Sequence, residues 1–379
     1  MASCFFFFGT LRDLPLLEVV LGGPLDSARV KSARLPGWLA HRAAGETFPV
    51  LRANETAVAD GIILKDVRPE EAARLDYYEL GHGYRTRQET VDTDAGPTTA
   101  VVYFAPEDLI GAEEVWDFAG WQGRWAEATR EAAREVMGYL GEKSAEWVAQ
   151  RYSLILARAQ SRISAGAARP NDLGAAFSNS DVEVHSKRVP YADFFTLETY
   201  RLTHPRFDGG PAAKIDRAAF VGFDAALCLP YDPKNDRVLL VEQFRVGAFS
   251  RADARPWLLE PVAGLIDPGE DAEDCCRREA QEEAGIEIRD LHSAGQGYAS
   301  PGANSGFFHM FVGLCDLPRR TQGFGGLADE GEDIRTLVIG FDELMAAIAS
   351  GEINVIPLQH LAYWLALHRP RLRAEAGVP

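Results

Sequence analysis

Apolar and polar positions along the chain form two blocks in which predicted strands and helices alternate. In the first block, runs with a period of two predict strands, and apolar positions three and four residues apart predict helices. The predicted strands lie at residues 5–8, 28–42, 47–67, 84–91 and 98–106, and the predicted helices at residues 14–22, 69–78 and 125–164. This block therefore predicts a mixed α and β unit whose apolar first strand stops at a glycine turn.

The second block begins with alternating segments and ends with helices. Strands are expected within residues 181–207 and 218–245, and helices at residues 272–284 and 355–369. Between the two blocks, the stretch AGAARPNDLGAA is rich in small residues, has no periodicity and predicts a linker. The expected organisation is a first domain at residues 1–165, a linker at residues 166–176 and a second domain at residues 177–379.

Composition agrees with two domains and excludes some partners. The chain has 379 residues, of which 46% are hydrophobic and 25% charged, so each half can bury its own core. A net charge of −17 disfavours a general nucleic-acid surface or an anionic membrane as partner. A small anionic substrate stays compatible with this charge, because a bound metal ion can supply local positive charge.

The cysteines and the apolar runs predict a cytoplasmic protein. The five cysteines are odd in number and form no C-x-x-C pair, which is typical of reduced, buried or half-buried thiols. No apolar run approaches the length of a membrane span, and the opening MASCFFFFGTLRD has no basic leader typical of a signal peptide. We therefore expect neither a membrane segment nor a secretory leader.

The stretch GLIDPGEDAEDCCRREAQEEAGI, residues 264–286, carries the clearest chemistry. Its centre has helix-forming composition, and positions three and four apart on a helix share a face. Glu279, Glu282 and Glu283 therefore form a carboxylate cluster whose repulsion a cation would relieve. Such hard oxygen ligands suit Mg²⁺ or Mn²⁺. An acidic helix face that is simply solvated is the alternative.

The spacing of this stretch matches the pattern GX5EX7REUXEEXGU, in which U is an aliphatic residue. The fixed residues are Gly264, Glu270, Arg278, Glu279, Glu282, Glu283 and Gly285. The chain thus resembles the Nudix hydrolases, which cleave nucleoside diphosphates linked to another group. The resemblance implies an α/β/α sandwich for the second domain, in which strands surround one catalytic helix.

Further segments narrow the resemblance to the bacterial ADP-ribose pyrophosphatases and a tellurite-resistance-associated relative. They are DFFTLETYRLTHPRFDGG, VLLVEQFR, PWLLEPVAGLI, ASPGANS and GLADEGEDIR. This resemblance implies a Mg²⁺-dependent hydrolase, a small nucleoside diphosphate substrate and a homodimer formed through the Nudix domain. The apolar segment at residues 194–207 would exchange between the two subunits.

The same resemblance assigns roles to single residues. Its metal ligands are Glu279, Glu282, Glu283, Glu332 and the backbone carbonyl of Ala263. The general base is Glu330 on a mobile acidic loop, for which a merely solvated loop is the alternative. Arg278 pairs with Glu270 to hold the loop on the helix, and loss of one partner of such a buried pair costs about 3–5 kcal/mol.

Substrate recognition in this branch falls on three residues outside residues 264–286, which we call the Nudix box. Phe194 is expected against the adenine, Arg217 near the nucleotide from the same or the partner subunit, and Arg245 against phosphate or ribose. A core position for Phe194 and a surface position for Arg245 are the alternatives. Gly306 stands where the family has a glutamate that contacts the terminal ribose, so we expect broadened specificity.

The first domain resembles the gamma-glutamylcyclotransferase-like (AIG2-like) fold, a small mixed β-barrel with flanking helices. The segments that carry the resemblance are FFGTLRD, LDYYELGHGYRTRQETV and VVYF. It implies that the backbone amides of Gly9, Thr10 and Leu11 bind a carboxylate and that Glu79 is the catalytic acid and base.

The chain departs from this second family at two positions, with Phe8 where tyrosine is common and Leu80 where glycine is common. Two alternatives follow for the first domain. The fold is retained without turnover, or Glu79 ends a helix and pairs with Arg85 or Arg87 at the surface.

The sequence therefore predicts an α+β protein that hydrolyses the diphosphate of ADP-ribose or a related nucleoside diphosphate sugar to AMP and a sugar phosphate. One alternative makes gamma-glutamyl cyclotransfer in the first domain the main function. Another is a sensor that binds ADP-ribose without hydrolysing it, although the three box glutamates that such sensors often lose are all present.

Overall fold

The computed structural model of the protein describes residues 3–107, 109, 111–167, 169–317, 322–326 and 332–378. It divides the chain into two compact units, Met1–Arg169 and Pro170–Pro379. The point of division lies inside the stretch at residues 166–176 that the sequence predicts to be a linker.

The N-terminal unit contains a closed barrel. Its strands are β1 (Ser3–Phe7), β2 (Val30–Ala43), β3 (Pro49–Val67), β4 (Arg85–Thr93), β5 (Gly96–Phe104) and β6 (Gly111–Val115), and its helices are α1 (Leu14–Leu21), α2 (Pro69–Glu79), α3 (Phe118–Gly138), α4 (Ala145–Ala149) and α5 (Tyr152–Ala165). The order β3-β1-β5-β4-β2 closes because β2 also pairs with β3, and β6 extends β2. β1 runs parallel to β5 and antiparallel to β3, so the expected mixed barrel is confirmed.

The four consecutive phenylalanines explain why β1 is central to this unit. Phe5 and Phe7 pack with Leu16 and Leu17 of α1, whereas Phe6 and Phe8 pack in a second cluster with residues such as Val102. Successive side chains of a strand point to opposite faces, so β1 is buried on both sides. Its carboxyl end therefore delivers the glycine turn at Gly9 to the inside of the unit.

The helical region before the division point differs from the prediction at residues 125–164. α3 begins at Phe118, and Ser144 starts a new short helix by accepting a hydrogen bond from the Trp147 amide at 3.2 Å. The second predicted helical segment, SAEWVAQRYSLILARAQSRI, also begins at Ser144, whereas the further break between α4 and α5 was not apparent from periodicity. Arg158 and Glu135, both buried, join α5 to α3 with a distance of 2.6 Å between Nη2 and Oε1.

The C-terminal unit contains a mixed sheet and a separate antiparallel sheet. Its strands are β7 (Glu183–Ala192), β8 (Thr196–Thr203), β9 (Ile215–Val221), β10 (Asp224–Asp232), β11 (Arg237–Phe244), β12 (Trp257–Glu260), β13 (Val262–Leu265), β14 (Asp290–Tyr298), β15 (Phe307–Leu314), β16 (Gln322–Gly325) and β17 (Ile334–Gly340), and its helices are α6 (Val246–Ser250), α7 (Ala272–Ala284), α8 (Phe341–Ser350) and α9 (Ile356–Glu375). The mixed sheet follows the order β14-β15-β10-β11-β17-β16, with β12 on β11 and β13 on β10. β7, β8 and β9 form the separate sheet.

Two apolar clusters lie on opposite faces of the mixed sheet. Along β10, Leu227 and Leu229 belong to the cluster that includes residues of α8 and α9. Ala226 and Cys228 belong to the cluster that includes Cys276 and other residues of α7. This alternation of period two confirms the predicted α/β/α sandwich.

The cysteines agree with their prediction, since all five are free and four of them are buried. Across the described ranges, none of the helices is both long and apolar enough to cross a membrane.

Candidate functional sites

The box helix α7 is fixed at both ends by its own sequence. At its start, the Asp271 side chain accepts hydrogen bonds from the amides of Glu273 and Asp274, at 3.0 and 2.8 Å. At its end, Gly285 adopts a left-handed conformation with φ 62°, and its amide bonds to the carbonyl of Gln281 at 3.0 Å. Because glycine adopts this conformation without steric cost, the helix stops one residue after its carboxylate cluster.

Gly264 lets strand β13 approach α7 closely. A Cβ atom at this position would lie 1.7 Å from Oε1 of Glu279, well inside van der Waals contact. Any side chain at residue 264 would therefore displace the Glu279 carboxylate. The first glycine of the box is thus needed for the close contact between backbone and carboxylate.

Arg278 ties the box loop to the helix. Its Nε and Nη2 atoms both lie 2.9 Å from the Glu270 carboxylate, and Nη2 also donates to the Leu265 carbonyl at 3.1 Å. Its Nη1 atom donates to Glu279 at 2.6 Å and to Glu282 at 3.0 Å. Although burial acts to raise the pKa of Glu270, the hydrogen bonds from Arg278 hold that pKa below its usual value. Arg278 therefore orients two of the predicted metal ligands.

Glu283 is the buried member of the carboxylate cluster. Its side chain accepts a hydrogen bond from the Ala263 amide at 3.3 Å. Burial, and then the neighbouring carboxylate of Glu279, raise the pKa of Glu283 to about 8. Burial also raises the pKa of Glu279, and the charge of Glu332 acts on both groups in the same direction. The Glu283 carboxylate therefore lies against the Ala263 backbone, where the charges of Glu279 and Glu332 act on it.

The carboxylates of this cluster are ligands of the kind that divalent cations prefer, but they are not arranged around a common point. Crowded carboxylates in a low-dielectric setting favour a hard cation. In the described part of the chain, however, no group of three His, Cys, Asp or Glu side chains stands ready to hold a metal ion. Arg278 occupies Glu279 and Glu282, so these carboxylates would have to turn, and substrate phosphate oxygens would complete the coordination.

Arg245 lies beside this cluster. Its Nε atom is 2.6 Å from Oε2 of Glu260. Its charge partly offsets the rise in the pKa of Glu283 that burial and Glu279 cause. The guanidinium is partly exposed, so an anionic substrate can reach it. Glu260 was not singled out from the sequence, since nothing in the segment PWLLEPVAGLI marks its glutamate as the partner of Arg245.

The other two predicted recognition residues differ in their surroundings. Phe194 is 47% exposed and packs edge-on against Phe223, whose ring centre is 5.6 Å away, immediately before β10. Arg217 lies exposed on β9 and donates to its neighbouring carbonyl at Asp216. Among the described residues, no hydrogen bond or ion pair joins Arg217 to the box. The structure therefore leaves Phe194 available as a flat surface and leaves Arg217 apart.

Gly306 and Glu330 are the positions that the sequence links to specificity and to catalysis. Gly306 is buried, its amide donates to the Asn304 side chain at 2.7 Å, and a Cβ atom there would lie 3.1 Å from that oxygen. The Asn304 side-chain oxygen therefore closes this loop on the Gly306 backbone. Glu330, the predicted base, lies outside the described residues.

The N-terminal unit holds a cavity between its barrel and its helices. Gly9, Thr10, Leu11 and Glu79 all line it, so the structure brings together the four residues that the sequence assigns to this unit. Hydrogen bonds of the glycine turn begin with the Arg12 amide, which bonds to the Gly9 carbonyl at 3.1 Å. The three preceding amides have no acceptor among the described residues, as an anion-binding turn requires.

Glu79 is the last residue of α2 and faces this cavity rather than Arg85 or Arg87. It keeps some solvent contact through the cavity but is surrounded by protein. Burial raises its pKa to about 7. The turn after it packs tightly, because a Cβ atom at Gly81 would lie 2.2 Å from the Ala145 carbonyl oxygen. A side chain at residue 81 would therefore displace the start of α4.

Aromatic side chains that sequence reasoning missed complete the cavity. The hydroxyl-bearing ones are Tyr77, Tyr78, Tyr84, Tyr103 and Tyr152. Burial raises the pKa of all five, and that of Tyr152 to about 12. The charge of Glu79 acts in the same direction on all of them except Tyr77. The Tyr77 hydroxyl has no hydrogen-bond partner within the described ranges. The aromatic segment LDYYELGHGY carried part of this signal, whereas Tyr152 carried none.

Known proteins match both units. The NUDIX domain family matches residues 223–358, and the family described as gamma-glutamyl cyclotransferase, AIG2-like, matches residues 5–122. The ADP-ribose pyrophosphatase of Escherichia coli K12 is 39% identical over 211 residues, which is 55% of this chain and 98% of that protein. The ADP-ribose pyrophosphatase of Haemophilus influenzae is 36% identical over 203 residues, which is 52% of this chain and 91% of that protein.

Two more distant matches have related descriptions. A GDP-mannose pyrophosphatase of Escherichia coli is 32% identical over 164 residues, which is 43% of this chain and 83% of that protein. The crystal structure of an ADP compounds hydrolase matches with a TM-score of 0.39 at 21% identity, over 50% of this chain and 97% of that one. On its box and on its similarity to nearly the full length of the first two enzymes, the chain belongs to the Nudix hydrolases, in the branch of the bacterial ADP-ribose pyrophosphatases, with an AIG2-like domain in front.

Proposed function

We propose that the C-terminal unit hydrolyses the diphosphate of ADP-ribose or a related nucleoside diphosphate sugar, giving AMP and a sugar phosphate. The observation that carries this proposal is the buried Glu283 carboxylate on the Ala263 backbone, on which the charges of Glu279 and Glu332 act. The names of the related enzymes support the substrate class.

Mg²⁺ or Mn²⁺ would be held by Glu279, Glu283, Glu332 and the Ala263 carbonyl, with Glu282 as a further ligand or a neighbour that orients one. When bound, the ion would polarise the phosphorus and offset charge on the leaving phosphate. Arg278 keeps Glu279 oriented, and Arg245 offers a cation to a phosphate or ribose oxygen. Glu330 stays the proposed base, and Phe194 and Arg217 stay proposed contacts of the nucleotide.

Release of AMP or GMP tests this proposal. The full chain, freed of metal with EDTA, is assayed on ADP-ribose, ADP-glucose and GDP-mannose with and without added Mg²⁺ or Mn²⁺. Hydrolysis that depends on the added ion is expected. No hydrolysis of any of the three with either ion would contradict it, and binding of ADP-ribose without turnover would indicate the sensor instead.

The same assay addresses substrate preference. Because Gly306 replaces an acid that would hold the ribose hydroxyls, we expect kcat/KM for ADP-ribose and ADP-glucose to lie within about tenfold of each other. A preference for ADP-ribose of more than about 100-fold would contradict broadened specificity. We also propose a homodimer formed through this unit and a cytoplasmic location, and light scattering of the purified protein tests the dimer.

A second activity, gamma-glutamyl cyclotransfer in the N-terminal unit, is favoured by one specific observation. The free amides of the turn at Gly9 and the carboxyl of Glu79 line the same cavity. The turn would hold the substrate carboxylate, and Glu79, with a pKa of about 7, can both accept and donate a proton near neutral pH. Formation of 5-oxoproline from a gamma-glutamyl amide tests it, and its absence across a panel of such amides would contradict it.

A further inference from the structure

His82 shares the N-terminal cavity with Glu79. It ends the 3₁₀ turn Leu80–His82 that directly follows α2, and both side chains line the cavity wall. Gly83, with φ 79°, ends this turn immediately after the histidine. The imidazole and the carboxyl are therefore presented to one space by a single short turn of the chain.

Ring contacts hold the imidazole in place and leave its nitrogens available. The ring centre lies 6.1 Å from that of Phe48 and 5.5 Å, edge-on, from that of Tyr152. Within the described ranges neither ring nitrogen has a hydrogen-bond partner. The side chain is half-buried, so a ligand in the cavity can reach it. Burial lowers the pKa of His82, so the ring is neutral at pH 7 and can accept a proton from a ligand.

The groups around this imidazole contain no competing cation. The titratable side chains that line the cavity with His82 are Glu79, Tyr77, Tyr78, Tyr84, Tyr103 and Tyr152. Glu46, of the turn between β2 and β3, acts through its charge on Tyr84 and Tyr152, and Glu146 of the adjacent α4 is exposed. No lysine or arginine belongs to the described lining of the cavity. An imidazolium formed here would thus meet no cationic side chain in the described lining and would be opposed by its own burial.

The chemistry proposed for this unit requires two proton movements. Once the substrate's α-ammonium has lost one proton, its nitrogen attacks the γ-carbonyl carbon, a C–N bond forms, and the C–N bond to the departing amine breaks. The attacking nitrogen changes from an ammonium with three protons to a lactam nitrogen with one. The departing nitrogen gains two protons and leaves as an ammonium, so no water, oxidant or reductant takes part.

We infer that His82 is a second catalytic residue of the N-terminal cavity and carries one of these two protons. The inference rests on the cyclotransferase activity proposed above. His82 takes the first proton from the substrate ammonium and so frees the nitrogen lone pair for attack. Glu79 takes the second proton as the new bond forms, and both protons pass to the departing amine.

The test compares the full-length wild type with His82→Ala and His82→Gln. Formation of 5-oxoproline from two gamma-glutamyl alkylamides is measured between pH 6 and 10. For both variants we expect kcat/KM at pH 7 to fall about 100-fold. Activity should return as the pH passes the pKa of the substrate ammonium, and added imidazole should restore His82→Ala at pH 7. His41→Ala, on β2 outside the cavity lining, is the control and should behave as wild type.

Three outcomes separate the inference from the activity on which it rests. If the wild type forms 5-oxoproline and both variants stay within threefold of it at pH 7, His82 carries no proton. If the variants lose activity that neither high pH nor imidazole restores, the role of His82 is structural and the inference also fails. If the wild type forms no 5-oxoproline from either amide, the proposed activity itself fails.

Discussion

Glu79 in the N-terminal unit and Glu283 in the C-terminal unit both have raised pKa values, about 7 and about 8, for different reasons. For Glu79 burial is the cause, and the cavity around it is lined by aromatic rings. For Glu283 burial is joined by the charges of Glu279 and Glu332, with Arg245 acting against them. A lone buried carboxyl can exchange a proton with a substrate, whereas crowded carboxylates favour a cation. Similar shifts in pKa therefore support different chemistry.

The largest effect is expected from Glu283→Gln. The change keeps the size of the side chain but removes a charged oxygen ligand from the centre of the cluster. We expect kcat for the diphosphate substrate in Mg²⁺ to fall by about 1,000-fold or more, roughly 4 kcal/mol of transition-state stabilisation. Glu273→Gln, on the exposed first turn of the same helix, is the matched control and should keep wild-type activity. Diphosphatase activity of Glu283→Gln within tenfold of wild type would contradict the proposed site.

Glu79→Gln should produce the opposite pattern. Glutamine cannot exchange a proton, so 5-oxoproline formation should fall by about 100-fold or more, while diphosphate hydrolysis stays unchanged. In the wild type, kcat/KM for the cyclisation should rise as the pH passes about 7, because the ionised form of Glu79 accepts the proton. If Glu79→Gln also slowed diphosphate hydrolysis, the two activities would not be separable in this way.

Much of both units could be predicted because the sequence patterns are local. The run at residues 5–8 predicted a buried strand, and the spacing from Gly264 to Gly285 predicted a capped helix with one acidic face. The parallel pairing of β1 with β5, which the barrel needs, joins distant segments, so the barrel came from the resemblance and not from periodicity. Tyr152 and Glu260 were missed for the same reason, since their roles arise only from distant residues brought beside them.

The role of Arg278 shows the remaining gap between sequence and structure. The sequence predicted a pair with Glu270, and the structure adds hydrogen bonds from Arg278 to Glu279 and Glu282. Spacing along the helix allowed these contacts but did not choose among them. The choice depends on Gly264, which brings the strand close enough to fix the Glu279 carboxylate.

A smaller effect is expected in the pH dependence of stability. The pKa of Glu79 is about 7 in the folded protein against 4.5 for an ordinary glutamate, so the unfolded chain loses this proton first. The stability of the N-terminal unit should be unaffected by Glu79 below about pH 4.5, fall as the pH rises to about 7, and then level off. The loss is at most about 3 kcal/mol. The melting temperature of Glu79→Gln should exceed that of wild type at pH 8 and match it at pH 4.5. An equal difference in melting temperature between variant and wild type at both pH values would exclude ionisation of Glu79 as the cause.

The smallest effect concerns the Arg278–Glu270 pair. The side chains keep 30% and 15% of their exposure, so the cost of about 3–5 kcal/mol expected for a fully buried pair is too high. A two-pronged, charge-assisted contact that solvent partly screens should contribute about 1–2 kcal/mol. The measurement is a double-mutant cycle on Arg278→Met and Glu270→Gln, followed by denaturant unfolding in metal-free buffer. A coupling energy near zero would show that Arg278 acts mainly on Glu279 and Glu282. Arg278→Met should then still lower the rate of diphosphate hydrolysis, whereas Glu270→Gln should leave it unchanged.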